Sequence, residues 1–419
     1  MQAVIRGSAL GGRFCAIPSK SDAHRLLIAA SLAASPTQVL LSGRSADITA
    51  TVSCLRELDT TVLDTPEGLD IFPQQGKKRA PALDCGESGT TLRLLIPVAA
   101  ARYDTVHITG RGRLPERPVE ELLRCLRVNG TAADSAHLPL TLAGRLRAGV
   151  FEIDGNVSSQ YISGLLLALP LLYGDSEIRL LSPLESSGYV ELTRAALTKF
   201  RIEAHPRPSG FYVPGGQTYR SPGSVAVEGD WSNAAFFLAA GALHGLVACT
   251  GLSVTTHQPD FAILELLQRF GANVEVIDGA VLVSPGELRG IVADVSEKPD
   301  LVPILAALGA CARGQTHLAN AKRLRLKESD RLAATTRMLR ALGVRIKELE
   351  DALIITGDGE KLKGAKVDCC NDHRIAMAAA IAASRAEGET TLCGAECVQK
   401  SYPSFFEEFA RLGGNVHVV

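Results

Sequence analysis

The 419-residue chain repeats itself with a step close to 71 residues, and that period leaves few architectures open. Each copy has to be one supersecondary unit that buries its apolar face against its neighbours. The period is clearest in six amphipathic helical stretches that stop near residues 59, 130, 201, 271, 343 and 413. They are Thr51 to Asp59, Leu122 to Gly130, Leu192 to Arg201, Leu264 to Gly271, Met338 to Gly343 and Phe405 to Gly413. Four end on glycine before the next strand, as expected of helices closed by a left-handed residue; the first ends on Asp59 and the third on Arg201. In phase with them run six polar loops, each leading into a helix of small apolar residues. These begin at Pro18, Cys85, Asp154, Glu228, Lys298 and Asn371, roughly 65 to 75 residues apart. Short Val/Ile-rich runs, such as 150–153, 225–227, 280–283 and 352–355, read as strands between them.

The helices after the polar loops are apolar all round, Ile375 to Ala383 most plainly, so they belong inside with the sheets outside them. The expectation is an α/β fold of six units, three to a domain. A cluster of Gly, Pro and Ser at 215–223, where the period fades, marks the break. Composition agrees with a globular chain: 46% hydrophobic and 21% charged residues. A net charge of −1 gives no field to draw the molecule to nucleic acid or an anionic membrane, so any anion must be held locally. The most apolar stretch, Ala234 to Cys249, is too short to span a bilayer and contains His244. Met1 to Gly7 shows no basic flank with an apolar core, so no signal peptide is expected. Ten scattered cysteines without a Cys-x-x-Cys pair read as reduced thiols of a cytoplasmic protein, ahead of a zinc site from Cys393, Cys397 and a distant His.

The loops carry the chemistry. A helix N-terminus offers unpaired N–H groups and the positive end of the macrodipole, and Gly or Ser lets backbone approach a phosphate. Lys20, Arg25, Arg117, Lys327, Arg331, Arg374 and Lys400 fall in or beside these loops, with Ser21, Thr90, Ser158 and Ser159 as neutral donors. Seven cations exceed the needs of one phosphate and suit a pair of substrates carrying phosphates and carboxylates. The densest segment is Arg325-Leu326-Lys327-Glu328-Ser329-Asp330-Arg331. With Ser329 as the helix cap, Lys327 and Arg331 would stand together beside a carboxylate placed for proton transfer. Plainer readings exist one by one. Lys20-Ser21 and Ser158-Ser159-Gln160 fit helix caps, and 325–331 fits a solvated charged face. Cys85 to Thr90 lacks the lysine of a nucleotide-binding P-loop.

In order along the chain, Pro18-Ser19-Lys20-Ser21 with Arg25, Ser88-Gly89-Thr90 with Arg93, Glu116-Arg117-Pro118, Val157-Ser158-Ser159-Gln160, Lys327-Glu328-Ser329-Asp330-Arg331, Asn371-Asp372-His373-Arg374 and Lys400-Ser401-Tyr402-Pro403 resemble the 5-enolpyruvylshikimate-3-phosphate synthase (3-phosphoshikimate 1-carboxyvinyltransferase) family. The resemblance runs from Pro18 to Leu412. It implies two similar domains, each of three βαβαββ units with buried parallel helices and outer sheets, an inside-out α/β barrel closing on substrate. Residues 1–18 with 228–419 would carry phosphoenolpyruvate and the catalytic Asp and Glu, and residues 19–227 the shikimate phosphate. The implied reaction moves the enolpyruvyl group of phosphoenolpyruvate to the 5-hydroxyl of shikimate 3-phosphate and releases phosphate. It passes through a tetrahedral intermediate, with no metal or organic cofactor, in a cytoplasmic monomer whose partners are small molecules.

By position, the resemblance assigns Asp300 as the base near the shikimate hydroxyls, Glu328 as acid and base at the methylene carbon, and Lys20 between both substrates. Ser21 and Arg25, with Tyr189, would hold the shikimate carboxylate; Ser158, Ser159 and Ser186 its phosphate; Lys327 its hydroxyls; and Gln160 touches both substrates. Lys20, Gly89, Arg117, Gln160, Arg331, Arg374 and Lys400 would hold phosphoenolpyruvate, with His373 close by. Two positions depart from the pattern. Glu87-Ser88 stands where better-known members have Asn-Ala, which bears on the inhibitor glyphosate, and Arg323 stands where an Asn often contacts the shikimate phosphate. A related transferase acting on UDP-N-acetylglucosamine places a reactive Cys before an Arg-Pro pair; Gly112 to Pro118 has none. An inactive anion-binding protein on the same fold would lack the acid and base positions, which are intact here, and RNA-end-processing relatives would need nucleotide-binding features that are not visible.

Overall fold

The computed structural model describes residues 1–73 and 80–419. Twelve α-helices occur among them. The six apolar ones are α1 (Lys20–Leu32), α3 (Gly89–Arg102), α5 (Ser159–Ala168), α7 (Trp231–Leu243), α9 (Val302–Cys311) and α11 (His373–Ala383). They alternate with α2 (Ala46–Glu57), α4 (Glu120–Val128), α6 (Ser187–Lys199), α8 (Ile263–Phe270), α10 (Arg331–Ala341) and α12 (Phe405–Arg411). Every residue of α7, α9 and α11 is buried, while α4 buries only Leu122, Leu123, Cys125 and Leu126. Fully burying a Leu or Ile side chain contributes about 1.5–3 kcal/mol, so the apolar helices supply most of the drive to fold.

The chain forms two compact units, Met1–Ile17 with Glu228–Val419, and Pro18–Val227. Each holds three four-stranded mixed sheets. In the second unit Val150–Ile153 pairs in parallel with Ser176–Leu180, which pairs antiparallel with Gly210–Val213, and that strand with His205–Arg207. A parallel neighbour followed by an antiparallel pair is the βαβαββ pattern. The boundary displaces the break read from the Gly, Pro and Ser cluster. The 215–223 cluster lies inside the second unit, because Ser224–Ala226 beyond it pairs in parallel with Gln38–Leu40 and closes that unit's first sheet. Similarly, Gln2–Arg6 and Gly12–Cys15 join sheets of the first unit, beside Glu389–Cys393 and Val247–Thr250.

All six helix stops are left-handed: Asp59, Gly130, Arg201, Gly271, Gly343 and Gly413 have φ between 61° and 102°. The period thus comes from a backbone requirement, met by glycine four times and by Asp59 and Arg201 at a cost of roughly 1–2 kcal/mol each. Close helix packing has a similar mark at Gly164 on α5. A Cβ there would lie 3.1 Å from the Pro97 side chain and closer still to the Arg93 carbonyl, so α3 and α5 approach only because that residue is glycine.

Candidate active site

Five of the six apolar helices start from a side-chain or loop device that leaves polar groups at their N-termini. Ser19, Ser88, Asp230 and Asp372 cap α1, α3, α7 and α11 through their side chains. Ser158 occupies the cap of α5 but its hydroxyl bonds no helix N–H. Here the capping reading fails, and Ser158 and Ser159, both nearly buried, present hydroxyls for another use.

In the first unit, α9, α10 and α11 bring three cations and three carboxylates together. Arg331, with a side chain 2% exposed, donates from Nε to Asp372 Oδ2 at 2.8 Å, from Nη1 to Asp300 Oδ1 at 2.7 Å and from Nη2 to Glu328 Oε2 at 2.6 Å. Arg374 donates to Asp300 Oδ2 at 3.1 Å and to Ser232 Oγ at 2.9 Å. Lys327 Nζ lies 3.4 Å from Asp300 Oδ1. Arg331, Arg374, Lys327, Asp300 and Glu328 are therefore one cluster, as the sequence led us to expect. Lys400 donates to the Asn371 carbonyl at 2.7 Å, and His373 is buried at the first turn of α11.

One local expectation fails. Asp330, not Ser329, caps α10 by accepting from Ala333 N, and Ser329 instead donates to Asp372 Oδ2 at 2.9 Å. Lys327 stands before the helix, at the end of a 3-10 turn over Lys322–Leu326 that also carries Arg323.

The electrostatics follow from this packing. Burial would raise the Asp300 carboxyl, but Arg374, Lys327 and Arg331 outweigh it and hold the group well below the usual carboxylate range. Burial pushes the Lys327 ammonium down to about 8, against the pull of Asp300. For Arg331 burial is overcome by Asp372, Glu328 and Asp300, and the guanidinium is raised.

The second unit has two polar clusters. In one, Lys20 Nζ pairs with Asp47 Oδ2 at 2.9 Å, at the start of α1. Further along the chain Gly89 begins α3, and a Cβ built on it would lie 2.7 Å from Arg117 Cζ, so the Arg117 guanidinium rests on the glycine. Gln160 bridges the same helix, accepting from Arg93 Nη1 at 3.0 Å and donating to Thr90 Oγ1 at 2.8 Å. In the other, Arg25 donates to Thr193 Oγ1, the Ser21 carbonyl, Ser163 Oγ and the Tyr189 carbonyl at 2.6 to 3.3 Å. Four of its five N–H groups are thus used, and burial brings it down to about 10. Ser186, left-handed at φ 55°, occupies the N-terminal cap position of α6 without a side-chain bond to the helix, and the adjacent Glu185 N–H donates to the Gly155 carbonyl in the loop before α5.

Sequence reasoning missed Asp47, Asp372, Arg93 and Ser232 as working members of these clusters. Asp372 and Arg93 lay within the quoted motifs, whereas nothing in the local pattern marks Asp47 or Ser232. Among the described residues no group of three or more His, Cys, Asp or Glu is placed to hold a metal ion, and no helix is long and apolar enough to cross a membrane.

A family model described as EPSP synthase (3-phosphoshikimate 1-carboxyvinyltransferase) matches residues 5–409. A Clostridium kluyveri protein named 3-phosphoshikimate 1-carboxyvinyltransferase is 40% identical over 98% of this chain and 97% of its own length. One of the same name from Clostridium acetobutylicum is 41% identical over 96% and 94%. Among solved structures, an EPSP synthase from Acinetobacter baumannii superimposes with a TM-score of 0.83 at 27% identity, covering 100% of both chains.

Proposed function

Since the chain belongs to the EPSP synthase (3-phosphoshikimate 1-carboxyvinyltransferase) family, we propose that it transfers the enolpyruvyl group of phosphoenolpyruvate to the 5-hydroxyl of shikimate 3-phosphate. Phosphate is released, in a step of aromatic amino-acid biosynthesis leading to chorismate. The observation that carries this reading is the cluster of Asp300 and Glu328 with Lys327, Arg331 and Arg374. Addition across the double bond of an enol phosphate needs a proton delivered to the methylene carbon and another removed from the attacking hydroxyl. Glu328 is assigned the first task and, in the elimination, the reverse. Asp300 accepts the hydroxyl proton. Its low basicity is no obstacle: once the neighbouring carbon is cationic, attack turns the hydroxyl into an oxonium, which gives up its proton to a weak carboxylate base.

The binding roles are our assignments. In residues 18–227, Ser21 and Arg25 take the shikimate carboxylate, Ser158, Ser159 and Ser186 its phosphate, and Lys20, Gly89, Arg117 and Gln160 bear on phosphoenolpyruvate. In the other unit Lys327 takes the shikimate hydroxyls, and Arg331, Arg374 and Lys400 take phosphoenolpyruvate. Planar guanidinium forks suit carboxylate and phosphate oxygens. The proposed setting is a cytoplasmic monomer, which gel filtration checks. The functional test is phosphate release from phosphoenolpyruvate. Release only when shikimate 3-phosphate is present supports the assignment, whereas release only with UDP-N-acetylglucosamine, or with neither acceptor, rejects it.

A further inference from the structure

A buried polar chain in the second unit takes no part in the chemistry above. His24 on α1 is 0% exposed, and its Nδ1 lies 2.7 Å from Thr51 Oγ1 on α2. Thr51 Oγ1 lies 2.6 Å from Thr91 Oγ1 on α3. Thr91 Oγ1 in turn lies 2.8 Å from Ser88 Oγ, which also accepts the Thr91 N–H at 3.2 Å and so caps α3. The second ring nitrogen of His24, Nε2, is buried with no hydrogen-bond partner among the described residues.

Those contacts fix the direction of the chain. Burial first, then Lys20 and Arg25, hold the imidazole well below its usual range, so it is neutral and carries one N–H. A buried N–H without an acceptor costs more than a buried lone pair without a donor, so the hydrogen sits on Nδ1 and is given to Thr51. Each hydroxyl has one hydrogen to pass on. Thr51 therefore donates to Thr91, and Thr91 to Ser88 at 2.8 Å in preference to the Asp47 carbonyl at 3.4 Å. Ser88 then receives two hydrogens from Thr91 and is held firmly at the turn before Gly89. Gly89 is the residue on which the Arg117 guanidinium rests, with no room for a Cβ between them.

We propose that His24 is a positioning residue for the phosphoenolpyruvate grip, acting through Thr51, Thr91 and Ser88 to set Gly89 beneath Arg117. This rests on the assignment of Gly89 and Arg117 to phosphoenolpyruvate. Cutting the chain at any link loosens the same loop, so the cuts do not add. The fault shows in the affinity for one substrate and not the other.

The test uses initial rates of phosphate release by the full chain, with each substrate varied in turn, for Thr91→Val, His24→Leu and the double variant. Each single change should raise KM for phosphoenolpyruvate at least about fivefold, the size of one buried hydrogen bond, and leave KM for shikimate 3-phosphate within about twofold. The double variant should be no worse than about the larger single effect. His24→Asn, whose amide N–H can donate to Thr51, should recover most of the loss, which a purely structural role does not predict. Should His24→Leu fail to fold, Thr91→Val, of the same shape, decides the matter. Two results overturn the role: both KM values rising together, or an unchanged KM for phosphoenolpyruvate with only lowered thermal stability. If the unaltered chain releases no phosphate with both substrates present, the functional reading falls, and the role given to His24 falls with it.

Discussion

Arg25 and Arg331 are both fully buried, one in each unit, and the two units solve the problem of a buried charge in opposite ways. Arg25 is surrounded by two hydroxyls and two backbone carbonyls, and burial lowers it to about 10. Arg331 touches three carboxylates and is raised instead. The hydrogen-bond partners of Arg25 are neutral, and the nearby Asp22 carboxylate does not outweigh burial, so part of its field persists and favours an anion nearby. Around Arg331 the charge is matched on the spot. Its guanidinium is fixed in place, Asp300 is held in its charged form, and both Asp300 and Glu328 are oriented. The contrast separates a unit suited to attracting anions from one suited to moving protons.

The largest effect expected is on turnover. Lys20→Ala and Glu328→Gln should each lower kcat at least about a hundredfold in the phosphate-release assay; near-normal rates for Glu328→Gln would end the proton-transfer half of the contrast, and for Lys20→Ala the anion-attracting half.

Next comes stability. Asp372→Asn leaves Arg331 buried with part of its charge unmatched and should lower the unfolding free energy by about 3–5 kcal/mol in urea titrations. Thr193→Val, which removes only a neutral partner of Arg25, should cost about 1–3 kcal/mol. Equal losses would erase the distinction.

A smaller effect is expected with pH. The Lys327 ammonium, pushed down to about 8, is charged below that value and neutral above it. In wild type kcat/KM should therefore fall as pH rises through about 8, and Lys327→Arg should extend the alkaline limb. The stability contribution runs the other way. An unfolded lysine titrates near 10.4, so between about 8 and about 10.4 the unfolded chain binds the extra proton and this group's penalty to folding is relieved as pH rises. Activity and stability trending together through that window would contradict the assignment.

The smallest effect should come from the exposed pair Arg6 and Glu389. A double-mutant cycle there should give a coupling of no more than about 1 kcal/mol, which calibrates the buried networks.

The architecture was legible because its period has a local cause. Left-handed stops and apolar helices are written in short stretches of sequence, so six copies could be counted. The break between units was not. The 215–223 segment looks like a linker, yet Tyr219 bridges Ala33 and Ser224–Ala226 pairs with Gln38–Leu40, contacts that join residues nearly 190 positions apart. The site divides in the same way. The cations announced themselves in motifs at helix starts, but the carboxylate facing Lys20 is Asp47 on another helix, and no spacing rule leads there. Ser329 and Asp330 are adjacent and both able to cap a helix. Only the demand of buried Asp372 for a donor explains why Ser329 turns away.

The placement of Gln2–Arg6 and Gly12–Cys15 has a consequence for how the molecule is made. Both segments emerge from the ribosome early, yet their partners are Val247–Thr250, Glu389–Cys393 and Asn415–Val418. Residues 18–227 have every strand of their own sheets long before that. At about 5–20 residues per second, the opening strands wait tens of seconds with bare edges while the central portion is already assembled. A nascent chain of this kind needs shielding over Gln2–Arg6 and Gly12–Cys15, and ribosome-associated chaperones should be found on those strands until Asn415–Val418 has been made.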